Sequence, residues 1–538
     1  MKKTDVIFGK IIESVSCAMH RVGSFFVFLY VLVMTVVFPF YLTNGYRNAG
    51  TDKSMLFRYL GLGLILSVMP CVMIYWICTR IKNFKEKLNI RTSIFKISIS
   101  DKLILMYGLA VIVSFLCSNN KQEAFWGAQG WYIGFTTQMI YVVSYFCISR
   151  LLRLHNVIII SALISTTITF ALGTLNRFSV YPIIIEGANP SFIATLGNIN
   201  WLCGYWSVFF PMAVGLFYMS VVQKDKVMIR LILGVYLAIC AAIGAVQGSD
   251  SAMLVFVTVM FVLFWVSAED VAHRRAFYMT MIIMCGVCQL LRVIRVIFPD
   301  AMNYDSATAE LLTGGNFTLV LLAAAFVLWI LADNVKKGHR SLDIISSYMR
   351  CERIAVLVVG MAVLIVYVIL LIRNTINPGS IGTLSGNPIF TFNEKWGSSR
   401  GITWTAGIKV FGDMTLFEKL VGLGPDSFAY GVYREGSPAV DAVTAAFGNS
   451  RLTNAHNEWI TVLVNNGIWG LITYIGFFVS KAVRYISKGV LLPTTFACGL
   501  ALVGYMSNNL FSFQQVLNGP FVFIMMGIGE AVIREKHK

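Results

Sequence analysis

The feature that most constrains the fold of this chain is a succession of apolar runs, each of about 17–25 residues, separated by short polar segments. The runs begin near residues 24, 55, 103, 131, 156, 201, 231, 251, 276, 316, 354, 459, 490 and 511. Because the hydrocarbon core of a bilayer offers no hydrogen-bond partners, a segment that crosses it must be a helix or part of a closed barrel. The runs therefore predict an all-α polytopic membrane protein with about 14 transmembrane helices.

The composition agrees with a membrane location rather than a soluble fold. Hydrophobic residues make up 57% of the 538 residues and charged residues only 13%, whereas a soluble protein carries roughly 25% charged residues. The formal net charge of +17 does not indicate a nucleic acid partner, because most Lys and Arg residues collect in alternate connections such as TRIKNFKEKLNIRTSIFKISISDK and NVKKGHR. This alternation is the positive-inside pattern of a cytoplasmic membrane. An even number of helices then predicts that both termini are cytoplasmic.

The predicted helices divide the chain into three parts. Residues 1–372 are expected to form eleven transmembrane helices with short loops, residues 373–456 one long extracytoplasmic loop, and residues 457–538 the C-terminal transmembrane helices. The start MKKTDVIFGK precedes an apolar run without a small-residue cleavage site, which is typical of a retained first helix. Long loops are usually functional. Within this one, SSRGITWTAGIKVF predicts a short helix, and an alternative is that this helix lies on the membrane surface.

His456 is the residue of the long loop that best fits acid–base chemistry. The other five histidines are predicted to face the cytoplasm, and His456 lies just before Trp459, an aromatic residue of the kind found at membrane interfaces. Arg400 and Arg451 belong to the same loop. A neutral imidazole beside guanidinium groups suits a site that holds an anionic diphosphate and deprotonates a hydroxyl. The alternative is that His456 only caps the helix that follows it.

Three segments carry a resemblance to a known family. They are ATLGNINWLCGYWSVFFPMA, SSRGITWTAGIKVFGDMTLFEKLVGLGPDSFAYGVY and NAHNEWITVLVNNGIWGLITYIGFF. Together they resemble the O-antigen ligase and O-antigen polymerase family, whose pattern combines a Leu-Gly-Asn-x-Asn entry into a membrane helix, an Arg-x3-Trp helix, a Leu-x-Gly-x-Gly-Pro turn and a His-Asn pair followed by a glycine. The matching positions, in family order, are Gly197, Asn198, Asn200, Arg400, Trp404, Gly422, Gly424, Pro425, His456, Asn457 and Gly467.

The resemblance implies that the chain is a membrane glycosyltransferase. Members of the family transfer a glycan from a polyprenyl diphosphate carrier, such as undecaprenyl diphosphate, to an acceptor hydroxyl. The transfer takes place at the outer face of the bacterial cytoplasmic membrane and needs no metal or other cofactor. The acceptor is a glycan, a lipid or a protein, and the motifs do not separate these. An O-antigen ligase is favoured, and a polysaccharide polymerase is the alternative.

Roles for individual residues follow from the resemblance. His456 is the expected catalytic base, and Arg400 is expected to clamp the diphosphate. The residues expected to bind substrate or orient the base are Asn457, Glu458, Arg451, Trp404, Asn198 and Asn200. For Trp404 the competing interpretation is packing of the loop helix, and for the two asparagines of the first motif it is helix capping. No metal site is expected, because the outer loops contain no acidic cluster such as Asp-x-Asp.

The chain departs from the family pattern at four positions. Ile199 stands where the family commonly has proline, and Asn465 where it often has an acidic residue. Two cations of the family are missing, because this chain has Asp250 and Trp131 at the corresponding places. These departures leave the complete set of diphosphate-binding arginines open. The alternatives to be considered beside Arg400 are Arg177, Arg292, Arg295 and Arg451.

A non-enzymatic flippase or transporter of lipid-linked glycans is the alternative from a different class. A transporter carries ionisable residues near the middle of the membrane, often in matched halves of the chain. The sequence shows few charges within the predicted spans and no evident symmetry between its halves. A membrane scaffold, the third class, leaves the arginines and the histidine of the long loop without a purpose.

Overall fold

The computed structural model describes residues 3–86, 97–337, 342–489 and 492–536, which form an all-α protein. The helices are α1 (Lys3–Val36), α2 (Ala49–Glu86), α3 (Ile99–Cys117), α4 (Lys121–Trp126), α5 (Phe135–Leu151), α6 (Asn156–Arg177), α7 (Ile199–Val222), α8 (Val227–Val246), α9 (Ser251–Ser267), α10 (Val271–Ile297), α11 (Ala307–Ala309), α12 (Phe317–Lys337), α13 (Leu342–Ile376), α14 (Trp396–Asp413), α15 (Leu416–Val421), α16 (Phe428–Tyr433), α17 (Val440–Phe447), α18 (Glu458–Gly489), α19 (Pro493–Asn508) and α20 (Gly519–Lys536). Two short strands, β1 (Phe192–Ile193) and β2 (Gly197–Asn198), pair antiparallel just before α7.

Nine of the described helices are long and apolar enough to cross a membrane, namely α1, α2, α3, α6, α7, α8, α10, α13 and α18. A tenth span results if α11, with its continuation Glu310–Gly314, and α12 are taken as one helix bent by 53°. By the length and composition of its helices, the chain is a multi-pass membrane protein. Each apolar run of the sequence overlaps one helix, but the prediction of about 14 spans is not confirmed. Helices α5, α9 and α19 are short for a membrane span, with only 16 or 17 residues, and α20 carries several charged residues that disfavour a position within the bilayer.

Helix α7 forms the centre of the helix bundle. It packs against α19, α8 and α10, and its side chains Tyr205 and Trp206 are fully buried. Helices α7 and α19 approach closely, because a Cβ atom on Gly215 would come within 2.7 Å of the Ala497 Cα atom. Small residues at such contacts allow membrane helices to associate, since lipid supplies no hydrophobic driving force between helices. In contrast, the most apolar 18-residue stretch of α13 buries none of its residues against the rest of the described chain.

Four short helices, α14 to α17, lie between α13 and α18, where the sequence predicts the long loop. The segment SSRGITWTAGIKVF lies in α14, and its first two residues, Ser398 and Ser399, have left-handed backbone conformations. These helices share a second, smaller hydrophobic core with the start of α18. Its buried members are Ala406, Val410, Met414, Leu423, Phe428, Val432, Ala439, Val443, Leu452, Ala455 and Val464. The segment is therefore packed around a core of its own.

Helix α18 is interrupted at Gly467, which has φ 69° and ψ −174°. The Leu-x-Gly-x-Gly-Pro turn lies against this interruption, and its Gly424 N–H donates to the Asn465 carbonyl at 3.0 Å. A Cβ atom on Gly467 would come within 2.3 Å of the Leu420 carbonyl oxygen, and one on Gly422 within 2.1 Å of the Asn465 carbonyl oxygen. Two motifs that are separated in sequence thus need glycine for the same reason. Their backbones are in direct contact.

A cluster of buried charges joins α3, α5, α18 and α20 at the helix ends remote from His456. Lys481 Nζ lies 3.2 Å from Asp101 Oδ1 and 2.9 Å from Glu530 Oε2, and all three side chains are at most 1% exposed. The remaining members are Arg150, Arg484 and Arg534. The sequence predicts few charges within the spans, whereas the structure buries these three between helices. Such pairing is what makes charges tolerable in an apolar environment.

Candidate functional site

His456 lies immediately before α18 in a left-handed backbone conformation with φ 48°. Its backbone N–H donates to Asn454 Oδ1 at 2.9 Å, which forms a local side-chain turn of the kind that stabilises this conformation. The imidazole packs edge-on against Phe513, with the ring centroids 5.3 Å apart. Its Nδ1 atom is buried without a hydrogen-bond partner among the described residues, while the residue as a whole is half-buried. Because Nδ1 is enclosed, a ligand has to approach the imidazole at Nε2.

Arg400 begins the regular part of α14. The three residues before it, Gly397, Ser398 and Ser399, have φ values of 59°, 59° and 66°. Left-handed conformations are unfavourable for residues other than glycine, and such strain often marks functional sites. The guanidinium donates from Nε to the Phe511 carbonyl and from Nη1 to the Gly397 carbonyl, both at 2.7 Å. Both acceptors are neutral carbonyl groups, so these bonds orient the guanidinium without neutralising its charge.

The fold brings Arg400 and His456 together although they are far apart in sequence. Thr403, one helical turn after Arg400, donates to the Ala455 carbonyl at 2.7 Å and fixes α14 beside the residue that precedes His456. The loop between α19 and α20, residues 509–518, contacts both side chains. The Phe511 carbonyl accepts a hydrogen bond from Arg400, and the Phe513 ring packs against His456. The Arg-x3-Trp and His-Asn motifs therefore belong to one site.

The surroundings of His456 favour its neutral form. Burial lowers its pKa to about 4, and the positive charge of Arg400 contributes to this decrease. The imidazole is therefore neutral near pH 7 and able to accept a proton. Burial also lowers the pKa of Arg400, an effect that the carboxylate of Asp250 opposes. The guanidinium remains charged near neutral pH, because its ordinary pKa is above about 12.

A cavity of about 380 Å³ opens beside Arg400. Its volume lies in the range of about 300–1,000 Å³ that is typical of small-ligand sites. Its polar end is formed by Asp250, Ser251 and Arg400, and its apolar wall by Met253, Leu254 and Val257 of α9. Val257 is 54% exposed, so this wall continues onto the outer surface of the helix bundle. A second cavity, of about 160 Å³, shares Met253 and Val257 with the first. His456 does not line the cavity but lies close enough for the Arg400 charge to act on it.

Asn198 and Asn200 lie at the start of α7 and contribute in different ways. Asn198 Oδ1 accepts a hydrogen bond from the Asn200 backbone N–H at 2.8 Å and caps the helix. Asn200 Oδ1 accepts from Ser249 Oγ at 2.8 Å, and Ser249 Oγ lies 2.9 Å from Ser251 Oγ in the cavity wall. Asn200 is thereby linked to the cavity through two hydroxyl groups. Asn198 acts as the helix cap that the sequence gave as the alternative.

Asn457 and Glu458 hold the start of α18 in place. Asn457 Oδ1 accepts from the Ile460 backbone N–H at 3.1 Å, as a helix cap does. The Glu458 carboxylate is buried and accepts from the Gln514 backbone N–H at 2.7 Å, while the Glu458 N–H donates to the Asn509 carbonyl at 2.9 Å. Neither side chain forms a hydrogen bond with the imidazole among the described residues. Their contacts fix the loop at 509–518 relative to His456.

The other arginines that the sequence offers for diphosphate binding have partners outside the cavity. Arg292 Nη1 lies 3.5 Å from Gln289 Oε1. Arg451 forms two bonds with the Glu123 carboxylate, at 2.7 and 2.9 Å. Arg295 pairs with two carboxylates. Arg177 is fully buried and donates to two backbone carbonyl groups. Of these arginines, Arg400 is the one that lines the cavity.

Aromatic rings enclose the site on both sides. Trp404 packs against Trp396 and Phe511, with centroids 5.3 and 5.5 Å apart, and its Nε1 is buried without a partner among the described residues. Trp131 packs edge-on against Phe513, with the ring centroids 4.7 Å apart. Trp404 therefore takes the packing role that the sequence gave as the alternative.

Asp426 is a residue of the site region that the sequence reasoning missed. Its Oδ2 accepts from the Ala128 N–H at 2.7 Å and from the Ile133 N–H at 3.0 Å, which joins the Gly-Pro-Asp turn to the loop before α5. Burial raises the pKa of Asp426 to about 7, although the two N–H donors favour the charged form. Its position directly after Gly-Pro was the available signal, since aspartate in such turns often accepts backbone hydrogen bonds.

Among the described residues, no group of three or more His, Cys, Asp or Glu side chains is arranged to hold a metal ion. The chain was also compared with models of protein families and with curated proteins. Neither comparison gave a match.

Proposed function

We propose that this protein transfers a glycan from an undecaprenyl-diphosphate-linked donor to an acceptor hydroxyl at the outer face of a bacterial cytoplasmic membrane, as an O-antigen ligase does. The observation that carries the proposal is the meeting of Arg400 and His456 beside a cavity with one polar end and one apolar wall. A lipid diphosphate likewise has a charged head group and an apolar chain. The reaction needs no metal in this proposal, and a polysaccharide polymerase is the alternative within the same chemistry.

Arg400 is suited to bind the diphosphate. Its Nε and Nη1 atoms are fixed by backbone carbonyl groups, so the guanidinium is oriented before a ligand arrives. Charge develops on the diphosphate as the glycosidic bond breaks, and a preorganised cation stabilises it without reorganisation. The nearest carboxylate in the cavity, that of Asp250, forms no ion pair with it among the described residues, which leaves the charge available.

His456 is suited to accept the proton of the acceptor hydroxyl. The hydroxyl proton moves to Nε2 as the acceptor oxygen forms a bond to the anomeric carbon of the donor. The bond from that carbon to the diphosphate oxygen breaks, and polyprenyl diphosphate leaves. The bound diphosphate offsets the charge of Arg400, which is one of the two causes that lower the pKa of His456. Substrate binding is therefore expected to make the imidazole a stronger base.

Helix α9 is suited to receive the polyprenyl chain. Met253, Leu254 and Val257 extend the cavity from its charged end along an apolar wall, and two of these residues also line the second cavity. An isoprenoid chain needs a continuous apolar surface, and burial of such a chain contributes about 25 cal/mol per Å² of apolar surface. The direction of this wall, from Arg400 onto the lipid-facing surface, matches a donor that remains in the bilayer.

A flippase of lipid-linked glycans is a second candidate, because Asp101, Lys481 and Glu530 are buried between helices as ionisable residues of transporters are. The two candidates differ in product. A transferase forms a new glycosidic bond in detergent, where no bilayer separates two compartments, whereas a flippase forms none.

The test is an assay of the purified protein in detergent with an undecaprenyl-diphosphate oligosaccharide and candidate acceptors. His456→Ala is expected to lower turnover by about 10²–10⁴-fold, and Arg400→Ala by about 10²–10³-fold. Matched controls are His155→Ala, which removes the exposed imidazole at the start of α6, and Lys409→Ala, which removes an exposed cation of α14. Full activity of both site variants, or loss of activity on adding a chelator, would contradict the proposed mechanism.

The proposed orientation has a separate test. Asp441, exposed in the first turn of α17, is replaced by cysteine in a variant that lacks the native cysteines. A membrane-impermeant maleimide added to intact cells is expected to label this position. Labelling only after the cells are permeabilised would place α14 to α17 in the cytoplasm and remove the site from the outer face.

A further inference from the structure

The cavity beside Arg400 also contains a carboxylate that the proposed mechanism does not use. Asp250 precedes α9 and lines the cavity together with Arg400. Its Oδ1 accepts from the Thr308 backbone N–H at 3.2 Å and from the Thr308 hydroxyl at 3.3 Å. Oδ2 has no hydrogen-bond partner among the described residues. The carboxylate is thus held at one oxygen and free to bind a ligand at the other.

Asp250 and Arg400 face the same cavity without neutralising each other. The carboxylate opposes the effect of burial on the guanidinium and raises its pKa. No ion pair joins them among the described residues, so a ligand can enter between them. A ligand that fits must present an anionic group to Arg400 and hydrogen-bond donors to Asp250. A glycosyl diphosphate does both, because its phosphates are anionic and its sugar carries hydroxyl groups.

We infer that Asp250 determines donor specificity by accepting hydrogen bonds from the sugar attached to the diphosphate, and that it selects an uncharged sugar at that position. This inference rests on the proposed function. Hydroxyl groups of a neutral sugar donate to the free carboxylate oxygen in a charge-assisted hydrogen bond. An acidic sugar such as a uronic acid brings a second carboxylate into the same small cavity, where like charges repel. The substrate class is therefore a polyprenyl diphosphate linked to a neutral hexose or N-acetylhexosamine.

The experiment compares three synthetic probes that share a short isoprenoid chain. They are farnesyl diphosphate, its glucosyl ester and its glucuronosyl ester. Dissociation constants are measured for the full-length protein in detergent, at neutral pH and fixed ionic strength. The wild-type protein is expected to bind the glucosyl probe about tenfold more tightly than the glucuronosyl probe, equivalent to about 1.4 kcal/mol. Asp250→Asn is expected to bring the two affinities to within about twofold, because the amide keeps the size of the side chain and removes its charge.

Three controls make the result decisive. Asp305→Asn removes a carboxylate that pairs with Arg295 outside the cavity, and it is expected to keep the wild-type preference. Asp250→Ser provides a second variant without the charge if the asparagine variant is unstable. Each variant must match the wild type in its elution volume on size-exclusion chromatography and in its melting temperature. Binding of the glucosyl probe must also persist with a chelator, because loss of binding would show that Asp250 holds a divalent cation and would overturn the inference.

The failures of the inference and of the proposed function are distinguishable. Equal binding of the two sugar probes by the wild-type protein, or an unchanged preference in Asp250→Asn, overturns the role of Asp250 and leaves the proposed function standing. Failure of the wild-type protein to bind any of the three probes overturns the proposed function itself. Both are supported if Arg400→Ala loses binding of all three probes, Asp250→Asn loses the preference for the glucosyl probe, and Asp305→Asn retains it.

Discussion

Replacement of Asp426 by alanine tests how the site region is held together. The Asp426 carboxyl group is buried and accepts two backbone hydrogen bonds, from Ala128 at 2.7 Å and from Ile133 at 3.0 Å. Alanine removes the acceptor and leaves both N–H groups buried without a partner. The affected segments are the Gly-Pro-Asp turn and the loop before α5, which also carries Trp131.

The magnitude follows from these two hydrogen bonds. A buried donor that loses its partner costs about 1–3 kcal/mol, so the two N–H groups together predict a loss of roughly 2–6 kcal/mol. That is a large fraction of the typical stability of about 5–15 kcal/mol. Asp426→Asn is the matched control, because its side-chain oxygen can occupy the position of the carboxyl oxygen. Asp441→Ala, at an exposed position of α17, controls for the loss of an acidic residue.

The assay combines thermal melting in detergent with amide hydrogen exchange at pH 6. Asp426→Ala is expected to lower the apparent Tm by at least about 4 °C, given shifts of about 2–4 °C per kcal/mol in mid-sized domains. Exchange is expected to accelerate at Ala128 and Ile133, which donate to the missing group, and to stay unchanged in the α7 core. A melting temperature equal to that of the wild type, together with unchanged exchange at these two positions, would refute the reasoning.

Three further predictions concern pH and the glycine contacts. Because burial and the Arg400 charge lower the pKa of His456 to about 4, the acid limb of kcat/KM is expected near that pH, and a limb near the ordinary value of about 6.5 would contradict its burial. Because the pKa of Asp426 is raised to about 7, the folded state keeps a proton that the unfolded chain releases near 3.8, so stability falls as the pH rises from about 4 through 7. Melting curves of the wild type should show this fall and those of Asp426→Asn should not, and equal slopes would argue against a protonated carboxyl group. Gly467→Ala is expected to lower the free energy of unfolding by about 1–3 kcal/mol or more, because Gly467 has φ 69° and a Cβ atom there would come within 2.3 Å of the Leu420 carbonyl oxygen. The control Gly476→Ala should melt as the wild type does, since the nearest atom to its Cβ lies at 3.5 Å.

The sequence predicted the helical class of the fold, whereas its prediction of about 14 membrane spans is not confirmed. Apolar runs are a local property, and each of them overlaps a helix. Whether a helix crosses a bilayer also depends on where it begins and ends. The last run illustrates this difference, because its first residues form the loop at 509–518 and α20 begins only at Gly519. That loop supplies the carbonyl group that holds Arg400 and the ring that packs on His456.

The sequence identified the residue types of the candidate site but not their individual roles. Asn457 and Glu458 follow His456 directly, so sequence proximity made them candidates to orient the imidazole. In the fold they cap α18 and hold the loop at 509–518. Arg451 looks like an available cation until Glu123, which follows α3, is brought beside it. Capping, pairing and burial all depend on neighbours that are distant in sequence.

By itself the sequence determined that the chain consists of apolar helices and that His456 and Arg400 lie in the segment between α13 and α18. Only the tertiary structure decided that the glycine turn lies against the break in α18, that Thr403 binds the backbone beside His456, and that Asp250 shares a cavity with Arg400. The physical reason is that helix formation depends on neighbours along the chain, whereas the meeting of side chains depends on how separate helices pack.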